Sequence, residues 1–71
     1  MAVEIQYCPV CGGYDRRAAS LAAVLNANGV PATIAEGLKS QFDVLAHGEL
    51  VFSKQQQGRF PEEEEILALV K

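Results

Sequence analysis

The chain has 71 residues, with six Lys and Arg against nine Asp and Glu and a net charge of −3 at pH 7. A chain of this length forms a modest core, so we expect one domain over residues 1–71 and no large multi-residue active site. The acidic balance disfavours nucleic acid and anionic membranes as partners, and no apolar run approaches the roughly 20 residues of a membrane span. Because no leader-like segment opens the chain, we expect a cytoplasmic protein.

The first predicted element is a buried strand, Val3 to Tyr7, which contains β-branched and aromatic residues. It runs directly into Cys8-Pro9-Val10-Cys11, and a helix-like stretch follows. Two thiols at this spacing can close a tight disulfide, and the free amides at a helix start stabilise the thiolate that attacks or leaves during exchange. Since these are the only two cysteines in the chain, the sequence predicts thiol–disulfide chemistry at Cys8 and Cys11.

A helix is predicted from about Tyr14 to Ala27, because alanine is abundant there and apolar residues recur at helical spacing. It should end at Asn28-Gly29, since glycine accepts the left-handed geometry of a helix C-cap. Pro31 to Ala35 is then predicted as a second strand. Strand, helix and strand in about 35 residues fit a right-handed parallel crossover.

The second half begins with a polar connection, Glu36 to Gln41. Two β-rich runs, Phe42 to Ala46 and Leu50 to Ser53, follow on either side of the segment 47–49, which contains a glycine. Short β-rich runs around such a turn predict a hairpin.

The chain is predicted to close with a polar loop over residues 55–60 and a final helix through Val70. Pro61 suits a first helical position, and the acidic run Glu62 to Glu65 suits the positive end of the helix dipole. The predicted order is β-α-β-β-β-α, an α/β (α+β) fold.

Metal binding is the main alternative to exchange for the cysteine pair, since a lone Cys-x-x-Cys in a reducing compartment is either redox-active or metal-binding. Two thiolates do not complete a tetrahedral zinc site, and His47 is predicted to be a solvated turn residue. A soft-metal carrier that holds Cu(I) between Cys8 and Cys11 therefore stays open, as does a redox-sensing interaction module.

Several other side chains have more than one interpretation. Arg16 and Arg17 lie within about one turn of the predicted helix start, where they could favour a thiolate, attract the carboxylates of glutathione, or form a solvated helix face. Lys54, Arg59 and Phe60 bracket the last loop and could rim a partner groove, but for Phe60 a place in the core is favoured.

Together these motifs resemble the Rdx family, the relatives of selenoproteins W, T and H. The resemblance spans nearly the whole chain. It rests on the segments 7–12, 17–18, 42–44, 48–54 and 58–61. It implies a thioredoxin-like fold with a four-stranded mixed sheet and two helices on one face. It also implies a thiol-based oxidoreductase that exchanges with glutathione or with protein thiols and disulfides and needs no further cofactor.

The resemblance leaves two assignments of the attacking thiol. In selenoprotein members of the family, selenocysteine stands at the second position of the pair, which corresponds to Cys11. In thioredoxin and glutaredoxin relatives the first cysteine attacks, which would nominate Cys8.

Two other Cys-x-x-Cys classes match less well. Glutaredoxins place a proline before the third strand, facing the thiols, and nothing between Glu36 and Phe42 is proline. Copper chaperones of the ferredoxin-like class carry Met two positions before the first cysteine and end on a strand, whereas this chain has Gln6 there and is predicted to end on a helix.

Overall fold

The computed structural model describes residues 2–70, so Met1 and Lys71, the ends of the predicted domain, lie outside the described residues. The described chain forms a mixed four-stranded sheet with three helices, which confirms the predicted α+β fold and adds one short helix. The elements are β1 Val3–Tyr7, α1 Tyr14–Ala27, β2 Ala32–Glu36, β3 Phe42–Ala46, β4 Glu49–Ser53, α2 Lys54–Gln57 and α3 Glu63–Val70.

The sheet has the strand order β2-β1-β3-β4. The central strand β1 is parallel to β2 and antiparallel to β3, and its Ile5 stands opposite Ile34 and Val44. The parallel pairing of β1 with β2 through α1 is the crossover that the sequence predicts. Buried and half-buried residues alternate along β1, because successive strand residues point to opposite faces of the sheet.

One face of the sheet carries the hydrophobic core. Helices α1 and α3 pack against each other on this face, and the buried residues of α1 and Ile66 of α3 join the inward-facing strand residues in one cluster. Its largest fully buried apolar side chains include Phe42, Ile5, Leu25 and Ile66. The opposite face carries the half-buried polar residues Glu4, Gln6 and Asp43. The two helices therefore leave one side of the sheet uncovered among the described residues.

The strand ends differ slightly from the prediction. Strand β2 runs one residue later than predicted, and Glu49 belongs to β4 rather than to the turn. The turn is therefore the pair His47 and Gly48, with φ of 55° and 79°. Two positive φ values in a two-residue loop match the twist of the flanking strands, which is why this hairpin type is favoured.

The predicted loop after β4 contains the extra helix, α2, which is a single turn. Gly58 ends it with φ of 74°, and its amide donates to the carbonyl of Lys54 at 2.7 Å. The sequence did not predict this turn, because a segment rich in glutamine has no apolar periodicity to identify a helix.

A bidentate ion pair connects this loop to α3. Arg59 donates from its two terminal nitrogens to the carboxylate oxygens of Glu65, at 2.9 and 2.7 Å. The hydrogen bond from Arg59 holds the pKa of Glu65 below its ordinary value, and the same bond raises the pKa of Arg59. Both groups are solvated, so the pair positions the loop more than it stabilises the fold.

Candidate functional site

The two cysteines are joined by a disulfide at the end of β1. Their Cα atoms lie 5.4 Å apart, within the range that a disulfide spans. The spacing of the two residues therefore closes the tight bridge that the sequence predicts.

The two sulfur-bearing residues differ in their access to solvent. Cys8 is 0 % exposed, whereas Cys11 is partly exposed. Pro9 and Val10 between them are exposed. Exchange needs an external sulfur to approach one of the two sulfurs along the S–S axis, so the burial of Cys8 disfavours attack there and the exposure of Cys11 favours it.

Helix α1 begins directly after the disulfide. Gly13 has φ of 84°, a left-handed conformation that glycine adopts without steric cost, and it turns the chain into the helix. The amide of Tyr14 donates to the carbonyl of Cys11 at 3.3 Å, and the amide of Arg17 donates to the carbonyl of Gly13 at 3.1 Å. Cys11 thus lies beside a helix start, where amides and the helix dipole favour negative charge on sulfur.

Gln41, just before β3, connects the cysteine loop to the rest of the sheet. Its carbonyl accepts from the amide of Cys8 at 2.8 Å. Its side-chain nitrogen donates to Gln6 at 2.8 Å and to Asp43 at 2.9 Å, and its side-chain oxygen accepts from the amide of Leu38 at 2.6 Å. One residue therefore fixes the start of the cysteine loop and the loop before β3. The sequence offered no signal for this role, because Gln41 lies in a polar connection.

The loop 37–41 lies alongside the cysteine loop. The amide of Gly37 donates to the carbonyl of Tyr7 at 2.7 Å, next to Cys8 in the chain. Within the loop, the amide of Gln41 donates to the carbonyl of Leu38 at 3.1 Å, which closes a turn. Hydrogen bonds on both sides therefore hold this loop against the end of β1.

Gly37 leaves the space that the Gln41 side chain fills. A Cβ on Gly37 would overlap the side-chain oxygen of Gln41 and come within 2.8 Å of its Cδ. Gln41 could make room only by giving up its bonds to Leu38, Gln6 and Asp43. Gly37→Ala is therefore expected to lower the free energy of unfolding by about 1–3 kcal/mol, measured by urea denaturation.

A double-mutant cycle provides the control for this expectation. Gln41→Ala removes the side chain that a Cβ at position 37 would meet, and it lowers the free energy of unfolding by itself. Adding Gly37→Ala in that background should then change the free energy of unfolding by less than about 0.5 kcal/mol. An equal cost of Gly37→Ala in both backgrounds would show that the Gln41 side chain is not what excludes a larger residue at position 37.

An aromatic cluster lies beside the helix start, on the core side of the sheet. The rings of Tyr14, Phe42 and Phe60 meet edge to face, with centroids 4.9 to 6.2 Å apart. The guanidinium of Arg17 lies 4.1 Å from the Phe60 centroid, and the ammonium of Lys54 lies 5.3 Å from the Tyr14 centroid. Phe60 thus packs against the core, and the two cations cover aromatic rings.

A cavity of about 350 Å³ opens next to this cluster, between α1 and the start of α3. Its lining includes Arg17, Phe42, Phe60 and Glu63, and neither cysteine is part of it. The Ser20 hydroxyl donates to Glu63 across the gap. The Arg17 guanidinium lies over the Phe60 ring at the wall of this cavity. Arg16, its neighbour on α1, is exposed to solvent.

His47 lies far from the cysteines. In the antiparallel pair of β1 and β3, Val3 stands opposite Ala46 and Tyr7 stands opposite Phe42. His47 follows Ala46, so it lies at the opposite end of the sheet from Cys8. Among residues 2–70, no group of three or more His, Cys, Asp or Glu residues could hold a metal ion.

Comparison with known proteins identifies the family. A model of the Rdx family matches residues 2–71. The chain belongs to the Rdx family. This confirms the resemblance found in the sequence. The matched residues of this Rdx protein include every helix and strand that the structure describes.

Solved structures share its fold. A selenoprotein W-related protein from Vibrio cholerae superposes with a TM-score of 0.84 at 24% identity, over 97% of this chain and 90% of that one. A protein from Bordetella parapertussis superposes with a TM-score of 0.80 at 25% identity, over 94% of this chain and 89% of that one. No protein of curated function matches the sequence. Within residues 2–70, no helix has the length and apolar character to cross a bilayer.

Proposed function

We propose that this Rdx protein is a small thiol–disulfide oxidoreductase whose Cys8 and Cys11 cycle between dithiol and disulfide. The observation that carries the proposal is the disulfide beside a helix start, with Cys8 buried and Cys11 partly exposed. The exchange partner is glutathione or a protein thiol, and no further cofactor takes part. We place this cycling in the cytoplasm, where thiol reductants return such a disulfide to the dithiol.

Reduction of the pair begins at Cys11. An external thiolate attacks the Cys11 sulfur, the Cys8–Cys11 bond breaks, and its electron pair leaves on the Cys8 sulfur, which takes up a proton. A second external thiolate attacks the external sulfur of the mixed disulfide. It releases the Cys11 thiolate and one external disulfide, so two electrons enter the protein.

Oxidation runs in the opposite sense. The Cys11 thiolate attacks the disulfide of a substrate, and one substrate sulfur leaves as a thiolate. Cys8, deprotonated, then attacks the Cys11 sulfur in the mixed disulfide, and the second substrate sulfur leaves as a thiolate. The difference in exposure of the two cysteines supports Cys11 as the exchanging sulfur and Cys8 as the resolving one.

A redox titration tests the proposal. The metal-free protein is equilibrated in glutathione buffers, and alkylated thiols are counted by intact mass. We expect a reversible two-electron transition at a potential roughly between −300 and −150 mV. The variant that carries both Cys8→Ser and Cys11→Ser is the matched control, since it should take up no alkyl group at any potential.

Other results of this titration would contradict the proposal. If no intramolecular disulfide forms across that range, the pair does not act in exchange. Retention of one Cu(I) per chain against a strong competitor would then favour a soft-metal carrier. Partner capture that depends on oxidation, without turnover, would favour a redox-sensing module.

A further inference from the structure

Strand β2 forms one edge of the sheet, and its backbone has hydrogen-bonding groups on the outer side. The amide of Gly37, just after β2, donates to the carbonyl of Tyr7 on β1. Every second residue of a strand directs its backbone groups to the same neighbour. The N–H and C=O groups of Ala32, Ile34 and Glu36 therefore point away from β1.

The side chain of Asn26 on α1 shows the same direction. Its nitrogen donates to the carbonyl of Ala32 at 3.1 Å, and its oxygen accepts from the amide of Ala32 at 3.1 Å. One side-chain amide thus makes both bonds that a neighbouring strand would make at Ala32. Among residues 2–70, no loop or side chain bonds to the outward backbone groups of Ile34 or Glu36. The second half of this edge is therefore open.

The open edge is regular and exposed. Edge strands are commonly protected by lysine, proline or a bulge. Ala32–Glu36 contains neither lysine nor proline, and its register with β1 is continuous. Ile34 in its middle is 41% exposed. Free backbone donors and acceptors in such a strand suit pairing with another strand.

We propose that β2 is the interface of a symmetric dimer, in which it pairs antiparallel with β2 of a second copy. The two-fold axis passes at Ala35. Ile34 then stands opposite Glu36 of the second copy, and these opposed residues exchange both N–H···O bonds on each side of the axis. Pairing stops at Ala32, because the Asn26 side chain already occupies its backbone groups.

The side chains that meet in this register are compatible. The two copies of Ala35 face each other at a non-hydrogen-bonded pair, where Cα atoms are about 4.5 Å apart and methyl groups fit. Thr33 stands opposite Gly37 of the second copy, which has no side chain to obstruct it. The two Glu36 carboxylates are diagonal neighbours about 7–8 Å apart, so their repulsion is modest and sensitive to salt.

Helix α1 favours a second copy over the strand of another protein. Ala19 and Ala23 precede Asn26 by seven and three positions, so all three lie on the side of α1 towards the β2 edge. Both alanines are exposed. Because α1 packs against β1 and β2, the two-fold axis brings the two α1 helices to about 10 Å, a distance at which helices pack. A strand alone would leave these alanines in water.

The dimer keeps the two cysteine pairs apart. Cys8 follows β1, and three strand spacings separate β1 from its copy, which places the pairs about 20 Å apart on opposite sides of the axis. Dimerisation and exchange at Cys11 are therefore independent, and failure of one proposal leaves the other standing.

Sedimentation equilibrium of the disulfide-bonded chain tests the dimer. We expect a monomer–dimer equilibrium with a dissociation constant below about 100 µM. Ala35→Lys places like charges opposite each other across the axis and should raise this constant at least about tenfold. Glu36→Gln removes the diagonal repulsion and should lower it about twofold at low ionic strength. Leu50→Lys on β4, the other edge strand, is the matched control and should leave it unchanged.

Cross-linking tests the register, in the variant that carries Cys8→Ser and Cys11→Ser. Ala35→Cys should form an intermolecular disulfide under mild oxidation, because Cα atoms about 4.5 Å apart are within its range. Thr33→Cys should form none, because the two copies of this position lie about 13 Å apart along the strands. Circular dichroism checks the fold of every variant, and cross-linking decides the outcome if Ala35→Lys does not fold.

Three results would overturn the proposal. The first is a chain that stays monomeric at about 1 mM, which is far above the expected dissociation constant. The second is a dimer that Ala35→Lys leaves intact or that Leu50→Lys abolishes, since the interface would then lie elsewhere. The third is cross-linking through Thr33→Cys as readily as through Ala35→Cys.

Discussion

Cys11→Ser is expected to stop the exchange of the reduced protein with oxidised glutathione, with a loss of at least about a thousandfold, as is typical when an enzyme loses its nucleophile. Cys8→Ser is expected to retain the first attack and to stop at the mixed disulfide. The reason is the burial of Cys8, which keeps an external sulfur from it, and the partial exposure of Cys11. The two single variants should therefore fail at different steps.

Intact mass spectrometry after brief mixing separates the two failures. Cys8→Ser should gain one glutathione, because serine cannot displace it from Cys11. Cys11→Ser should gain none in the same time, and both variants should match the unsubstituted protein in far-UV circular dichroism. Faster adduct formation on Cys11→Ser than on Cys8→Ser would make Cys8 the exchanging sulfur, the arrangement of thioredoxin and glutaredoxin relatives.

The cysteine pair and the fold could be predicted from sequence because their signals are local. The apolar strand before Cys8 and the alanine-rich stretch after Gly13 are contiguous patterns, and the observed β1 and α1 have the predicted bounds. The family resemblance added the mixed sheet.

The network around Gln41 could not be predicted from sequence, since it depends on pairing between distant strands. Gln41 bonds to Gln6, 35 residues away in the chain, and only the β1–β3 register brings them together. Arg17 shows the same limit: its position near the helix start suggested a solvated helix face, or contact with a thiolate or with glutathione, and nothing in the sequence indicated that Phe60 lies beneath its guanidinium. Side chains that meet across the fold leave no periodic pattern in the sequence.

These distant contacts also connect the core to the cysteine pair. Phe42 is the first residue of β3, directly after Gln41, whose carbonyl binds the amide of Cys8. Its ring packs against Tyr14, the first residue of the helix that begins beside Cys11. A change in this ring therefore acts on both sides of the cysteine loop.

Phe42→Ala is accordingly expected to have the largest effect on stability, about 3–5 kcal/mol of the free energy of unfolding. The side chain is 1% exposed and packs edge to face against the rings of Tyr14 and Phe60. A loss of that size is a large part of the roughly 5–15 kcal/mol that holds a small domain together. Urea denaturation followed by circular dichroism, on the disulfide-bonded protein, measures it.

Phe42→Leu is the matched control, because it keeps an apolar side chain in the cluster and leaves a smaller void; we expect it to cost less than half as much as Phe42→Ala. Amide hydrogen exchange then tests the connection to the site. Loss of the ring should speed exchange at the Cys8 amide, which donates to Gln41, more than at amides in the middle of α1. If Phe42→Ala costs under about 1 kcal/mol, or leaves Cys8 as protected as before, then Phe42 does not anchor the cysteine loop to the core.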